Sequence, residues 1–306
     1  MAAKRIIIVG GGFAGVKCAW TLRKRLSREE AEVVLFNREN HMVFHPMLAE
    51  VAGGSLNPDA VAAPLRMMLP RVHCRTEDIL DIDLDASEVH FEAHDGRSQK
   101  IGFDQVVLAC GNITNLGMVP GMADHAFPMK TIGDAMALRA HILRQFEKAE
   151  VCDDHEKKRW YLSFVVVGGG YSGVETAGEI QDLVRVSRKF FQNIDVKDAT
   201  VTIIHSRDQL LPEIGPKLRE FTRQKMEKAG IRVLLNARCA VATPDGVGLS
   251  DNTFVRAATV VCTIGSTPAP AVTRMNAPKE KGKLKTDADL RIQGRRNAWA
   301  IGDCAD

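Results

Sequence analysis

The sequence has no apolar run long enough to cross a membrane; the longest, such as Leu162–Val167, suit buried strands. It also lacks any cysteine pair at CxxC or CxxxxC spacing, and its seven cysteines, at 18, 74, 110, 152, 239, 262 and 304, are odd in number. Those absences argue against a disulfide framework, a zinc knuckle and a locally spaced redox dithiol, leaving buried thiols that pack as small hydrophobes. Charge of neither sign dominates: 41 Lys and Arg face 38 Asp and Glu, so composition gives no reason to expect nucleic acid. An apolar strand starts at Arg5, which leaves no room after Met1 for a signal peptide. The expected location is therefore cytoplasmic, extending to the cytoplasmic face of the inner membrane. No metal is expected either. His41 and His45 are four apart, but Pro46 follows and no cysteine stands beside them.

What is present is an ordinary globular composition, 45% hydrophobic and 26% charged, over 306 residues, enough for two domains. One supersecondary unit occurs twice. The first copy runs through Arg5–Val9 into Gly10-Gly11-Gly12-Phe13-Ala14-Gly15, with Val16, Ala19, Trp20 and Leu26 on the inner face of a helix and a second strand at Glu32–Asn37. The second runs from Phe164–Val167 into Gly168-Gly169-Gly170-Tyr171-Ser172-Gly173, with Val174, Ala177, Ile180 and Val184 at helical spacing and a second strand at Thr200–His205. Between them, Ile79–Asp85, Glu88–Ala93 and Gln99–Phe103 predict short antiparallel strands around Asp95-Gly96, and Gln105–Ala109 predicts a buried strand ending in Cys110-Gly111. Ala135–Ala149 has helical period, and the charge-dense stretch Glu150–Arg159 reads as a linker. After the second unit come a helix at Lys217–Ala229, strands near Ile231–Leu235 and Thr259–Thr263, and a Gly265–Pro270 loop.

Each glycine run satisfies GxGxxG, through Gly10, Gly12 and Gly15 and again through Gly168, Gly170 and Gly173. In such a run one glycine makes the tight turn, one lets the backbone approach a pyrophosphate, and one lets helix and strand pack closely. The helix N-terminus adds free N–H groups and partial positive charge. One such motif is weak evidence; two, each between a strand and a helix, imply two dinucleotides, most economically FAD and a nicotinamide nucleotide. Near the end of the chain stands Ile301-Gly302-Asp303, where a carboxylate could accept a hydrogen bond from a ribityl hydroxyl.

In Val165–Glu179 (VVVGGGYSGVETAGE), Phe44–Ala52 (FHPMLAEVA), Met129–Ala149 (MKTIGDAMALRAHILRQFEKA) and Ala300–Ala305 (AIGDCA) the sequence resembles the two-dinucleotide flavoproteins, most closely the type II NADH:quinone oxidoreductases. The resemblance implies an α/β fold of two Rossmann-like three-layer domains, the second inserted in the first, joined by short antiparallel strands. The expected FAD domain is 1–125 plus 275–306, the connecting helix and linker 126–160, and the NAD(P)H domain 161–274. It implies further that NAD(P)H gives a hydride to flavin N5 and that the electrons pass to a quinone or another small acceptor. Glu175 is the catalytic candidate, beside the nicotinamide; its plain alternative is a first-turn acid favoured by the helix dipole. Glu179, one turn on, is expected to be structural. The flavin-side candidates are Gly10, Gly12, Phe13, Ala14, Gly15, Asn37, Arg38, His45, Ala109, Cys110, Gly111, Gly302 and Asp303. Those for the second nucleotide are Gly168, Gly170, Tyr171, Ser172, Gly173, His205, Arg207 and Gly265.

Two departures from the family stand out. The strand-two position that grips a ribose through a carboxylate is Asn37 in the first unit and His205 in the second. Asparagine can still hydrogen-bond a ribose, and His205-Ser206-Arg207 suits a 2′-phosphate, so NADPH is expected as a donor beside NADH. The family also continues past the Gly-Asp motif into a membrane-anchoring region with much of its quinone site and dimer interface. This chain stops at Asp306, so the expectation is a truncated piece, with membrane attachment and a homodimer belonging to the longer form. Two alternatives stay open: a sulfide:quinone oxidoreductase relative using Cys110 and Cys152, and a flavin sensor that does not turn over.

Overall fold

The computed structural model describes residues 3–306; Met1, from which the sequence reading sets out, lies outside them. In chain order the framework opens with β1 (Lys4–Val9), α1 (Phe13–Arg25), β2 (Ala31–Phe36), α2 (Leu48–Gly53), β3 (His73–Arg75) and β4 (Gln105–Leu108). It continues with β5 (Ala126–Pro128), α3 (Ile132–Glu150), β6 (Ser163–Val167), α4 (Tyr171–Ser187), β7 (Thr200–Ile204), β8 (Arg232–Leu234), β9 (Thr259–Cys262) and β10 (Ala298–Ala300). The chain forms two compact units. One comprises residues up to Val43 with Ala62–Ile113 and Ser266–Asp306; the other comprises Phe44–Val61 with Thr114–Gly265.

Unit 1 is built on a five-stranded parallel sheet in the order β10-β4-β1-β2-β3. The unbroken apolar run of β1 is explained by burial on both faces, as parallel sheets require. Ile7 and Val9 face one core with Phe36, Phe91 and Leu108, while Ile8 faces the other with Val16, Ala19 and Leu35. Ile7 and Ile8 are fully buried, each contributing about 1.5–3 kcal/mol against an exposed reference. α1 covers the second face. The first is covered by a three-stranded antiparallel sheet (Asp78–Asp83, Glu88–Glu92, Ser98–Gly102), which completes three layers. Arg75 ties these layers together: its guanidinium lies over the rings of Phe36 and Phe91 and donates to Glu77 Oε1 at 2.5 Å. Trp20 stands at the rim rather than inside, with the ammonium groups of Lys17 and Lys24 over its ring.

Unit 2 repeats the plan, its parallel sheet running β5-β9-β6-β7-β8. One face carries an antiparallel sheet (Cys239–Thr243, Gly246–Leu249, Phe254–Arg256), packed through Val247, Leu249 and Val255 on Val165, Val167 and Val260. α4 buries Ala177, Ile180 and Val184, and α3 buries Leu138, Ile142 and Phe146, the last edge-on to Phe164 at 6.1 Å. α3 starts on a capping box: Thr131 Oγ1 accepts from the Asp134 N–H at 3.0 Å and the Asp134 carboxylate accepts from the Thr131 N–H at 2.7 Å.

The unit boundaries differ from those read off the sequence. Residues 126–160 are no connector: α3 and a further helix, His155–Tyr161, pack within unit 2. The dense charge of 150–159 belongs to solvated helix faces and caps, Asp154 accepting from the N–H groups of Glu156 and Lys157. Residues 44–61, assigned to the flavin domain on the sequence, also fall in unit 2, because α2 packs against α3 and α4.

Candidate functional site

In both sheets the glycine loop leaves the central strand, between neighbours whose connections run in opposite directions along the sheet. That is the topological switch point, where open α/β sheets bind ligands beyond the carboxyl ends of their strands.

In unit 1, Gly10 has φ 112, and a Cβ there would overlap Ala109 O and come 2.6 Å from Ala109 C. A Cβ at Gly15 would overlap Gly10 O outright and come 3.2 Å from Ala109 Cβ. Both glycines are therefore demanded by protein atoms. Gly12 is not: a Cβ there meets nothing within 4 Å. It caps α1 in an extended conformation, at a helix start of the kind that binds anions. Phe13 is exposed and Ala14 borders the same space, and Gly302 (φ 73) closes it, its Cβ position 3.2 Å from Ala14 Cβ. Asp303 follows, exposed, at the start of the 3-10 turn Gly302–Cys304. Three loops, after β1, β4 and β10, thus meet at one edge of the sheet. A turn of this shape suits a dinucleotide diphosphate, and Ala109 and Cys110 stand against Gly10, with Gly111 (φ 59) next along the chain.

Unit 2 repeats this geometry. Gly168 has φ 127, a Cβ at Gly173 would overlap Gly168 O, and a Cβ at Gly170 meets nothing within 4 Å. Gly170 caps α4 as Gly12 caps α1, with Tyr171 and Ser172 exposed at the helix start. The place of Ala109 is taken by Thr263, whose hydroxyl donates to Val167 O at 3.0 Å and fills the space beside Gly168 and Gly173. Thr263 was missed in the sequence; its only signal was its position one residue past the strand partner of β6. Gly265 (φ 84) closes the loop, its Cβ position 2.5 Å from the backbone oxygen of Asn115.

The strand-two residues do something the sequence did not suggest. Asn37 Oδ1 accepts from the Gly11 N–H at 2.8 Å, while Asn37 Nδ2 donates to Glu39 O at 2.8 Å. Both ends of the carboxamide are engaged, so Asn37 latches the glycine loop. His205 is its counterpart: Nδ1 accepts from the Gly169 N–H at 3.1 Å, which places the ring proton on Nε2. Burial, then the charge of Arg207, hold the imidazole below its usual range, so it is neutral at pH 7. Ser206 and Arg207 stand exposed beside it. Arg38 is exposed and 3.9 Å from Asp78.

Glu175 is not in the first turn of α4. The helix begins at Tyr171 with no acid in that turn, so the dipole explanation for Glu175 weakens. Its side chain is exposed, yet burial and then the charge of Glu50 hold its carboxyl above the usual range. Glu179 is held by Ser55 Oγ at 2.6 Å. His45 opens the short 3-10 turn His45–Met47 ahead of α2, in unit 2. The thiol beside Cys110 is that of Cys304. Burial first, and Cys304 after it, push the Cys110 thiol up to about 12. Cys152 lies in unit 2, in the turn after α3, its thiol donating to Asp154 O at 3.5 Å. Among the described residues no group of three His, Cys, Asp or Glu could hold a metal ion, and no helix is long and apolar enough to cross a membrane.

The profile of the pyridine nucleotide-disulphide oxidoreductase family matches residues 4–306. A type II NADH:quinone oxidoreductase (Ndh) of Mycobacterium tuberculosis is 30% identical over 314 residues, covering 98% of this chain and 67% of its own length. A type II NADH:quinone oxidoreductase of Staphylococcus aureus is 28% identical, covering 99% and 74% respectively. In fold, the chain is similar to NDH2 from Plasmodium falciparum solved in complex with NADH, with a TM-score of 0.90 and 23% identity over 99% of this chain and 64% of that one. A sulfide:quinone oxidoreductase of Aquifex aeolicus is more distant, at a TM-score of 0.79 and 18% identity. The chain spans about two thirds of the length of the curated relatives it matches. The doubled cradle and these likenesses agree: the chain belongs to the pyridine nucleotide-disulphide oxidoreductase family, and within it to the type II NADH:quinone oxidoreductases.

Proposed function

We propose that this chain is the two-nucleotide core of an FAD-dependent NAD(P)H dehydrogenase that takes a hydride from NAD(P)H and passes the electrons to a quinone-type acceptor. The observation that carries the reading is the repeated cradle, closed by protein atoms at its first and third glycines and open over its second, Gly12 and Gly170. In unit 1 the N–H groups at the start of α1 would take the FAD diphosphate, with Asp303, exposed after β10, for a ribityl hydroxyl. In unit 2 the start of α4 would take the diphosphate of the nicotinamide nucleotide. Bound FAD supplies the two-electron chemistry that no side chain here can perform. The protein's part is to fix both nucleotides, through loops whose shape Asn37 and His205 hold from behind. Glu175, exposed past the start of α4, is the ionisable group offered to the nicotinamide side. Arg207 and Ser206 are the groups that would meet a 2′-phosphate, so both NADH and NADPH serve as donors in this reading. Quinones partition into lipid, which sets the work of the enzyme at a membrane surface.

The test is spectroscopic. The purified protein should be yellow, and NADH or NADPH added without oxygen should bleach the flavin band. A quinone such as menadione should then restore the band over many cycles. A colourless protein reconstituted by no flavin, or a flavin that neither donor bleaches, would overturn the proposal.

A further inference from the structure

The peptide groups of Gly169, inside the second glycine loop, are both held by the stretch that follows β7. The Gly169 N–H donates to His205 Nδ1 at 3.1 Å, and Gly169 O accepts from the Leu211 N–H at 2.8 Å. The loop lies against the imidazole: a Cβ at Gly169 would come 2.5 Å from His205 Cγ and 2.7 Å from Leu210 Cδ2. Leu211 makes its bond from the left-handed region, at φ 48, a strained backbone for a leucine.

The first loop has the same latch in a different chemistry. There the Gly11 N–H donates to Asn37 Oδ1 at 2.8 Å, and a Cβ at Gly11 would come 2.7 Å from Asn37 Cγ. A carboxamide oxygen accepts at any pH near neutrality, whereas an imidazole nitrogen accepts only while it carries no proton. The imidazolium has an N–H at both nitrogens and would set a donor against the Gly169 donor. Turning the ring over brings a carbon to that place, which accepts nothing. Nor is the charged form compensated elsewhere: Nε2 is buried without a hydrogen-bond partner, and no ion pair among the described residues involves His205.

Burial, then Arg207, favour the neutral ring, while Glu213 and Asp208 act in the opposite sense; all three charges belong to its own stretch. The other stretches in contact with His205 are the glycine loop and residues 234–237 after β8, which bond its backbone N–H and carbonyl. Neither contributes a titratable side chain. The ring is held below its usual range, so the latch is intact at neutral pH and is lost as pH falls through the folded-state value.

We propose that His205 is a positioning residue that makes the second cradle proton-sensitive: its neutral Nδ1 shapes the glycine loop for a nicotinamide nucleotide, and acidification releases loop and nucleotide while the first cradle, latched by Asn37, keeps its flavin. The proposal rests on the reading of the second cradle as the nicotinamide nucleotide site.

The test uses the flavin-loaded protein and NAD+, a probe with no group that titrates between pH 5 and 8. Calorimetric Kd values over that range are compared for the wild type, His205→Asn and His205→Ala, with Tm and flavin content as controls for folding. Hydrogen–deuterium exchange of the glycine-loop amides, corrected for its intrinsic pH dependence, is read without nucleotide. In the wild type the Kd should rise about tenfold between pH 7 and pH 5, and protection of the loop should fall over the same range at constant flavin content. His205→Asn, which keeps an uncharged acceptor as in the first loop, should hold its pH 7 affinity and protection down to pH 5. His205→Ala should bind weakly and protect poorly at every pH. A wild-type Kd that stays level or tightens on acidification, or an acid limb that survives in folded His205→Asn protein, would overturn the proposal. Folded wild type that binds NAD+ at no pH would instead sink the nucleotide reading, and the exchange measurement would still decide the latch.

Discussion

Replacing Gly12 by alanine separates the ligand of the first cradle from its fold. Gly12 is extended, at φ −80 and ψ −168, a conformation open to any residue, and a Cβ there meets no protein atom within 4 Å. The cost to the empty protein is therefore that of a poorer helix N-cap, about 1 kcal/mol or less, or a Tm lower by about 2–4 °C. With the diphosphate in place the same methyl group intrudes on a packed contact. Overpacking of about 1–3 kcal/mol corresponds to a 5- to 150-fold weaker Kd for FAD. Gly15→Ala should do the reverse. Its Cβ would overlap Gly10 O, so α1 must retreat from β1, and the fold suffers before any ligand is considered. Flavin occupancy from the visible-to-ultraviolet absorbance ratio, FAD titration of the apoprotein, and thermal unfolding with and without FAD distinguish the two. Gly12→Ala should melt near wild type as apoprotein yet bind FAD weakly, whereas Gly15→Ala should lose Tm even without FAD. A Gly12→Ala protein with undiminished flavin affinity would refute the argument that the open space over Gly12 is the phosphate site. Gly170→Ala should leave the flavin in place and raise the Kd for the nicotinamide nucleotide.

Other consequences are as direct. Asn37→Ala removes the acceptor for the Gly11 N–H and should cost the apoprotein about 1–3 kcal/mol, while Asn37→Asp keeps that acceptor and loses less. A change in FAD affinity with no loss of apoprotein Tm would return Asn37 to the role of ribose ligand. Arg207→Gln should weaken NADPH binding about tenfold and leave NADH nearly unaffected, as measured by the ratio of kcat/KM values. An equal effect on both donors would show that Arg207 does not meet the 2′-phosphate. Cys110, its thiol pushed up to about 12 by burial and then by Cys304, should be alkylated by iodoacetamide at pH 8 about a thousandfold more slowly than an ordinary cysteine, with peptide mass mapping as the readout. Rapid labelling of Cys110 in the folded protein would contradict that.

Both glycine cradles were legible in the sequence because their demands are local. A turn at φ 112 or 127 and a third glycine that cannot carry a Cβ are set by steps of two to five residues along the chain. The parallel sheets were legible too, since strands buried on both faces read as unbroken apolar runs. The tertiary structure decided matters that depend on residues distant in sequence. The ends of β2 and β7 place Asn37 and His205 behind the glycine loops, where each accepts a hydrogen bond from a loop N–H. The charged stretch 150–159 carried the composition of a linker, but composition does not tell a solvated helix face from a flexible join. Residues 44–61 changed unit because α2 finds its packing partners in α3 and α4 and not among its chain neighbours. The charge of Glu50 bears on the Glu175 carboxyl only in the folded chain, where α2 packs on α4. Backbone sterics can be read along a chain, whereas the charge felt by a carboxyl group depends on what folding brings beside it.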